Sequence, residues 1–491
     1  MPRHTIPPMR LRDLARGVDG ASISGDPDTV VTGVTSDSRD VAPGDLFFCV
    51  HGGMHDGHRF AAVAVGAGAC ALVVDDPSSL PPGCEVPMIE VASVRRTLGV
   101  LAANAFGHPA AAARMVGVTG TNGKTSTVAI LSSILRASGE KVLTIGTLTG
   151  ERTTPEALDL HAMIRSAVDD GVTCVVMEVS SHALAMHRVD GIRFEVGVFT
   201  NLGRDHLDFH GSHEDYAEAK ARLFDASRCS LAVVNGDDAA SEGMLRTAGD
   251  RTYFSISDAG DARVEADRVA FTWDGQRVSL PVGGAFMLVN ALAAATAARA
   301  MGVSTSRIVD GCANLPRITG RFESVGHGSD ISVVVDYAHT PEAMRRVLST
   351  ARDVAEGRVV VVFGCGGDRD RGKRPLMGRA AGDGADLVYV TSDNPRSEPP
   401  GAIIDEIISG IVGPREHVID CVDRAQAVES AILGARRGDI VVIAGKGHET
   451  WQEIDGRRVP FDDAEVARAA LRRRAMGDMS AVPETGKENG E

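Results

Sequence analysis

The sequence predicts an α/β protein of three domains, with a mostly parallel sheet in the second and a doubly wound sheet in the third. Two observations predict this. A glycine-rich run, Gly117-Val-Thr-Gly-Thr-Asn-Gly-Lys-Thr125, lies between an apolar stretch (113–118) and a helix-like stretch (126–135). That is the strand–loop–helix setting of a phosphate-binding loop. Beyond it, short apolar β-branched runs alternate with helical patterns, which implies strands and helices in turn and hence a parallel sheet. At about 150 residues per domain, 491 residues make room for three.

Residues 1–110 open the chain with short apolar runs at 46–50 and 71–74, a Gly52-Gly53 turn and an alanine-rich segment at 60–71. They read as a small α/β unit. Thr35-Ser-Asp-Ser-Arg39 places hydroxyls and a guanidinium on a turn, and turn chemistry alone accounts for it. Residues 111–320 start at the glycine-rich loop and carry apolar runs at 172–177, 196–199 and 231–234. Residues 321–475 carry four, at 331–335, 359–363, 387–391 and 440–444, separated by helical patterns. The stretch 476–491 is rich in Gly, Pro, Ser and Glu and is expected to be disordered.

Composition bounds the partners. Apolar residues make up 43%, enough for ordinary cores, and the net charge of −15 argues against nucleic acid or an anionic membrane. A polyanionic substrate would need a local basic site. The 8 cysteines show no paired CxxC spacing, so neither a zinc ribbon nor a disulfide framework is indicated. No apolar run approaches the ~18 residues of a membrane span. A soluble, cytoplasmic protein is expected.

The loop has a definite chemistry. Glycines let successive backbone N–H groups turn toward one anion, and the following helix presents its positive end to it. Lys124 would reach the β/γ-phosphates and the Thr125 hydroxyl would hold Mg²⁺. The strict phosphate-loop spacing is not met, because Val118 stands five residues before Gly123. The competing reading is a glycine-rich turn that binds nothing.

Six polar motifs each follow an apolar run: Glu178-Val-Ser-Ser-His182, Thr200-Asn-Leu-Gly-Arg-Asp-His206, Asp336-Tyr-Ala-His-Thr-Pro341, Gly364-Cys-Gly-Gly-Asp-Arg369, Asp393-Asn-Pro-Arg396 and Gly445-Lys-Gly-His-Glu449. Ligands of open α/β sheets bind beyond the carboxyl ends of strands. Six such loops point to two facing sheets with a site between them. Glu178 suits Mg²⁺ as a hard oxygen donor. His206 is a less usual magnesium ligand. The trio His206, His210 and His213 lacks a zinc spacing, being broken by Gly211-Ser212. Lys220, on a helix expected over 214–224, is by itself an ordinary surface lysine. Arg369, Arg371, Lys373 and Arg374 form a basic knot interleaved with Asp368 and Asp370. It is either an internally paired loop or a site that captures carboxylate or phosphate. Arg396, beside Pro395, invites the same two readings.

These motifs resemble those of the ATP-dependent muramyl ligases, which build the muropeptide precursor of bacterial peptidoglycan, and among them the diaminopimelate-adding members. Gly120-Thr-Asn-Gly-Lys-Thr125 is shared with folylpolyglutamate synthetase. The loops at 178–182, 200–208, 336–341 and 445–449, with Thr153-Thr-Pro155 and 393–396, are more specific, and the likeness runs from about residue 30 to 470. It implies three domains: a UDP-binding domain (1–110), a central ATPase domain (111–320) and a Rossmann-like domain that receives the amino acid (321–475). It implies Mg²⁺, ATP as co-substrate, and UDP-N-acetylmuramoyl-L-Ala-D-Glu and meso-diaminopimelate as the joined substrates. A monomer is expected.

By the same resemblance, Gly120, Thr121, Asn122, Gly123, Lys124, Thr125 and Ser126 match the ATP loop, with Asn290, Arg321 and Asp336 on the adenosine side. Thr125, Glu178 and His206 match metal positions, and Lys220 matches a lysine carbamylated in the family. Lys124, Lys220 and His206 are the catalytic candidates. Ser36, Ser38, Gly53, Met54 and His55 match the UDP-sugar region; Thr153, Thr154, Ser180 and Arg188 match muramyl-peptide contacts. Arg369, Asp393, Asn394, Pro395, Arg396, Gly445 and Glu449 match the diaminopimelate pocket. Met186 and Met287 depart from the family pattern, standing where relatives carry Gln and Asn. A folate ligase would need neither the N-terminal domain nor the 393–396 loop, and a scaffold without turnover would not need Lys124, Glu178, His206 and Lys220 intact.

Overall fold

The computed structural model describes residues 3–52, 55–150, 152–326 and 329–477. Gly53, Met54 and the expected tail from 478 onward lie outside them. The chain divides into two compact units: Met1–Ser255 with Ala293–Gly311, and Ile256–Leu292 with Cys312–Glu491.

The first unit contains two six-stranded sheets. In one, Val30–Thr35, Asp45–Phe48, Ala69–Val74 and Met88–Glu90 run parallel, and His4–Arg10 and Ser22–Ser24 close the edges antiparallel. The other is wholly parallel, in the order Asp250–Phe254, Cys229–Asn235, Phe194–Phe199, Arg114–Thr119, Cys174–Glu178, Val142–Ile145. Strands covered on both faces read as continuous apolar runs, and Cys174–Glu178 is buried at every position. Val118 pairs with Glu178 and Thr119 with Phe199, so the loops following these strands leave the sheet at one level.

The second unit is built on a sheet ordered Glu323–Ser324, Ser332–Asp336, Ile440–Ala444, Val359–Phe363, Leu387–Thr391, Val418–Cys421, parallel except for its first strand. Val359–Phe363 and Ile440–Ala444 are entirely buried. A three-stranded antiparallel sheet, Gly260–Val264, Val269–Trp273 and Gln276–Leu280, belongs to the same unit and was not anticipated. Its attachment has a packing cause: Ala266 and Phe286 lie against the core of the large sheet, and the Phe286 ring meets Phe322 edge-on at 5.6 Å.

Helix starts are fixed locally. Ser180, Ser212 and Thr340 each accept a backbone N–H three residues on, capping Ser181–Ala185, His213–Ala221 and Pro341–Val354. The helix expected over 214–224 spans His213–Ala221 and ends in a tighter turn, Arg222–Phe224.

Candidate active site

All six polar motifs begin at the carboxyl ends of parallel strands. In the first unit the loop between Arg114–Thr119 and the helix Lys124–Ala137 turns on Gly120 (φ 151°) and Gly123 (φ 85°). A Cβ at Gly120 would collide with the Thr200 hydroxyl. The neighbouring loop clamps this turn. Asn122 N–H donates to Asn201 Oδ1 (3.0 Å), the Thr200 hydroxyl donates to the Asn122 carbonyl (2.6 Å), and Gly203 N–H donates to Thr121 Oγ1 (2.8 Å). Tyr216 OH meets Thr121 Oγ1 at 3.0 Å. Lys124 Nζ donates to the Gly120 and Thr121 carbonyls, both at 2.9 Å. Thr125 and Ser126 are buried in the first helical turn.

Lys220 is the outlier. The sequence makes it a surface lysine, yet it is 1% exposed, donates to the Gly120 carbonyl at 2.9 Å and lies 4.4 Å from the centre of the Tyr216 ring. Burial, with Lys124 adding to it, holds its ammonium well below the usual lysine range. Burial thus disfavours the charged form of this amine.

Glu178, 1% exposed, accepts from Thr147 N–H (2.8 Å) and the Thr147 hydroxyl (3.3 Å). His206 takes a left-handed backbone (φ 55°), and its ring meets His182 edge-on at 4.6 Å. Burial lowers the basicity of both; His182 is pushed down to about 4, with His206 and His210 contributing. His210 bonds to Ser181 at 3.0 Å. Among the described residues, His206, His210 and His213 form no metal-ligating group. For a hard cation, the donors that fit are the Thr125 hydroxyl and the Glu178 carboxylate.

The muramyl-peptide candidates also gather. The Thr154 hydroxyl donates to the Glu178 carbonyl (2.9 Å) and accepts from Ser180 N–H (3.1 Å), and Thr153 meets Thr147 at 3.1 Å. Arg188 pairs with Glu156 (2.7 Å), donates to the Thr154 carbonyl (3.1 Å) and touches Met186 Sδ at 3.8 Å. Ser36 and Ser38 follow the strand Val30–Thr35, half-buried on a turn closed by the Arg39–Asp37 pair (2.6 Å), which holds Asp37 down at about 2. His55, exposed, faces Phe60 at 6.3 Å.

In the second unit, Asp336 accepts from Phe322 N–H (2.7 Å) and Ala338 N–H (2.8 Å). Burial raises its pKa and Arg321 opposes that. The Arg321 guanidinium stacks 4.8 Å from the Tyr337 ring. Asn290 Nδ2 reaches the Met287 sulfur, a weak acceptor, at 4.0 Å.

Asn394 Nδ2 donates to Glu449 (2.9 Å), and the Asn394 carbonyl oxygen Oδ1 accepts from Lys446 Nζ (3.1 Å) and Glu453 N–H (3.0 Å). Gly445 (φ 112°) passes so close that a Cβ would lie 3.0 Å from Asp393 Oδ2. Arg396, with φ 53°, donates to the Gly367 carbonyl (2.6 Å) and pairs with Glu453 (3.3 Å). A Cβ on Gly366 would lie 3.0 Å from Arg396 Nη1 and 3.7 Å from Arg369 Cγ, so a bare glycine separates the two arginines. The Pro395 carbonyl accepts from Glu398 N–H at 3.0 Å. Of the two readings of the basic knot, the internal pairing is not used by Arg371 and Arg374: both pair with Glu398 and Glu406.

Two residues went unread in the sequence. Lys446, fully buried, is held by Asn394, by Glu449 at 3.1 Å and by Asp393 at 3.7 Å. Arg424, also fully buried, pairs with Asp463 (2.8 Å) and donates to the carbonyls of Ser392 (3.2 Å) and Ala444 (3.0 Å). Those carbonyls immediately precede Asp393 and Gly445, so Arg424 sets the height at which both loops leave the sheet. The Gly445-Lys-Gly-His-Glu449 motif could have flagged Lys446; nothing local marks Arg424.

Parallel sheets with ligand loops at their carboxyl ends, one of them a phosphate-loop turn, define an α/β protein of the nucleotide-loop class. Three family models match it: Mur ligase family, catalytic domain (30–106), Mur ligase middle domain (118–298), and Mur ligase, glutamate ligase domain (320–447). The chain belongs to the Mur ligase family. It is 42% identical over 496 residues to the UDP-N-acetylmuramoyl-L-alanyl-D-glutamate–2,6-diaminopimelate ligase of Geobacillus thermodenitrificans, covering 95% of this chain and 100% of that one. A solved structure of a ligase of that name matches with a TM-score of 0.67 at 32% identity, covering 96% of this chain and 100% of that one. Escherichia coli FolC in complex with ADP matches with a TM-score of 0.54 at 21% identity over 75% of this chain and 94% of that one, a likeness of fold alone.

Proposed function

We propose that this protein is an ATP-dependent ligase that joins meso-2,6-diaminopimelate to the D-glutamyl γ-carboxylate of UDP-N-acetylmuramoyl-L-Ala-D-Glu. The observation that carries the reading is the charged cluster at the carboxyl end of the second unit's sheet. Arg369 and Arg396 flank Gly366, and Asn394 and Glu449 bond to each other on the adjoining loops. Such a cluster can take carboxylates on one side and an ammonium on the other. Likeness to diaminopimelate-adding ligases over 95% of the chain supports it, whereas the folate-type fold accounts for 75%.

In this reading residues 1–110 bind the UDP end, through Ser36, Ser38 and residues 53–55. Residues 111–320 bind ATP, and 321–475 bind the amino acid. Residues 120–126 cradle the phosphates, and Lys124 exchanges its carbonyl contacts for phosphate oxygens. The γ-carboxylate attacks the terminal phosphorus, the bond to ADP breaks, and an acyl phosphate forms. The diaminopimelate amine then attacks the acyl carbon, loses its proton, and phosphate leaves. Phosphoryl transfer of this kind depends on alignment and charge neutralisation more than on covalent help. Mg²⁺ held through Thr125, Glu178 and His206 would supply part of that neutralisation.

Lys220 completes the set as a carbamate. Its neutral amine attacks CO₂, a C–N bond forms, and one proton leaves to solvent, so a buried neutral amine becomes an anionic metal ligand. Arg321 and Asp336, with Asn290, serve the adenosine. Thr153, Thr154, Ser180 and Arg188 hold the muramyl peptide. The enzyme works as a cytoplasmic monomer; no helix among the described residues is long and apolar enough to cross a membrane.

The test is direct. Incubation with ATP, Mg²⁺, UDP-muramyl dipeptide and a panel of amino acids should yield the diaminopimelate adduct mass. ATP hydrolysis without amide, or a product only with a pterin substrate, overturns the reading.

A further inference from the structure

Beyond the carboxyl ends of Asp45–Phe48 and Ala69–Val74, in the sheet that does not lead into the phosphate loop, His51, His58 and Asp75 converge. Asp75 Oδ1 lies 3.2 Å from His51 Nε2 and 3.2 Å from His58 Nε2. That oxygen is buried and finds no hydrogen-bond partner. The other carboxylate oxygen is engaged by Val94 N–H at 2.9 Å. His58 Nδ1 is 2.7 Å from Asp56 Oδ1, and His51 Nδ1 is 3.3 Å from the same oxygen. An imidazole that gives its Nδ1 proton to a carboxylate presents a lone pair at Nε2. Asp75 N–H donates to His58 Nε2 at 3.4 Å, a long hydrogen bond that an ion at that nitrogen would displace. One ligand atom from each of the three residues lies within 4.8 Å of the others.

We propose that His51, His58 and Asp75 bind a divalent transition-metal ion of the zinc class. Zinc bonds of about 2.0–2.1 Å set tetrahedral ligand atoms about 3.3 Å apart, close to the two 3.2 Å separations here. Two imidazoles and one carboxylate favour zinc over magnesium, which takes oxygen. Asp56 fixes the ring that is fully buried, His58, as metal-bound histidines are fixed elsewhere. Cys49 is not one of the converging ligand groups. His51 leaves a route for the ion, its side chain being 52% exposed. The scaffold is built for a tight return: His51 and Asp56 pair as an antiparallel bridge, and a Cβ on Gly57 would press on the Val50 and Cys49 backbone. Three protein ligands leave a fourth position for water. The ion would pin the loop that starts at His51 to the end of the strand bearing Asp75.

The full chain, stripped with chelator, is titrated with ZnCl₂, and metal content is read by mass spectrometry. CoCl₂ in place of zinc gives a visible spectrum that reports coordination. One tight zinc per chain, a four-coordinate cobalt spectrum, and about 100-fold or more weaker binding in both His51→Ala and Asp75→Asn are expected. Zinc should raise the unfolding temperature of the wild type and not of His51→Ala. His51→Ala alters a half-exposed side chain, so its fold should persist; circular dichroism checks it. Equal zinc binding by the wild type and both variants overturns the proposal, as does no tight zinc in the wild type or a cobalt spectrum abolished by His206→Ala instead.

Discussion

Replacing Lys220 by Met tests the buried amine. The side chain is 1% exposed, and its ammonium is held well below the usual lysine range, first by burial and then by Lys124. Between its folded pKa and the unfolded value near 10.4, the unfolded chain binds one more proton than the folded one, so stability rises with pH. The gain is about 1.4 kcal/mol per pH unit, present in full above the unfolded pKa and lost as pH falls toward the folded one. Met fills a similar volume and carries no proton, so its direct packing effect should stay under about 1.5 kcal/mol. The stability of the variant relative to wild type should therefore fall as pH rises toward the unfolded value in CO₂-free buffer. Pulse proteolysis in urea, read on fragments of the first unit, measures it. Parallel profiles for the two proteins would refute the argument that the amine is neutral. With ¹³CO₂ present, the wild type should show a carbamate carbonyl resonance that Lys220→Met lacks, and the variant should lose turnover.

The remaining predictions concern single contacts. Lys124→Ala should keep the fold and lose amide formation, a transition-state loss of several kcal/mol; near-normal kcat by a folded variant refutes the loop's role. Wild type should prefer meso-diaminopimelate to L-lysine by about 10⁴-fold in kcat/KM, and Arg396→Ala should lose that preference; equal values for wild type count against the pocket. Lys446→Met strips the Asn394–Glu449 pair of its buried cation, so KM for diaminopimelate should rise about tenfold or more, from about 1.4 kcal/mol or more of lost binding, with KM for ATP unchanged. Asp463→Ala leaves Arg424 buried and unpaired, and chemical denaturation of the second unit should show about 3–5 kcal/mol of lost stability.

Strands buried on both faces were legible because nothing interrupts their apolar runs; 359–363 and 440–444 are examples. The edge strand His4–Arg10 was not, because Pro7, Pro8 and Arg10 hide it, and only an edge tolerates such residues. The antiparallel sheet at 260–280 alternates buried and half-buried positions over 269–273, and Asp274-Gly275 marks its hairpin. That signal was present and went unread. Of the candidate site, what could be read was which loops follow strands, since that is local. What could not be read was the state of each cation, since burial is not local. Lys220 lies 100 residues from the carbonyl it meets, and Arg424 lies 39 from Asp463.

That division has a consequence for where chemistry can be placed. A short loop at a strand end brings the right residue types to one edge, but a lysine there is a solvated point charge until the rest of the fold removes its water. Lys124 and Lys220 share the Gly120 carbonyl, both at 2.9 Å, and only one of them is buried. The same carbonyl therefore meets one half-buried lysine and one whose burial disfavours the ammonium. Tyr216 and Asn201, which hold the walls of that arrangement, are ordinary residues by type. Exchanging them for residues that leave water access should raise the Lys220 pKa without touching the loop's sequence. In the protein, distant packing rather than the motif decides which lysine does which work.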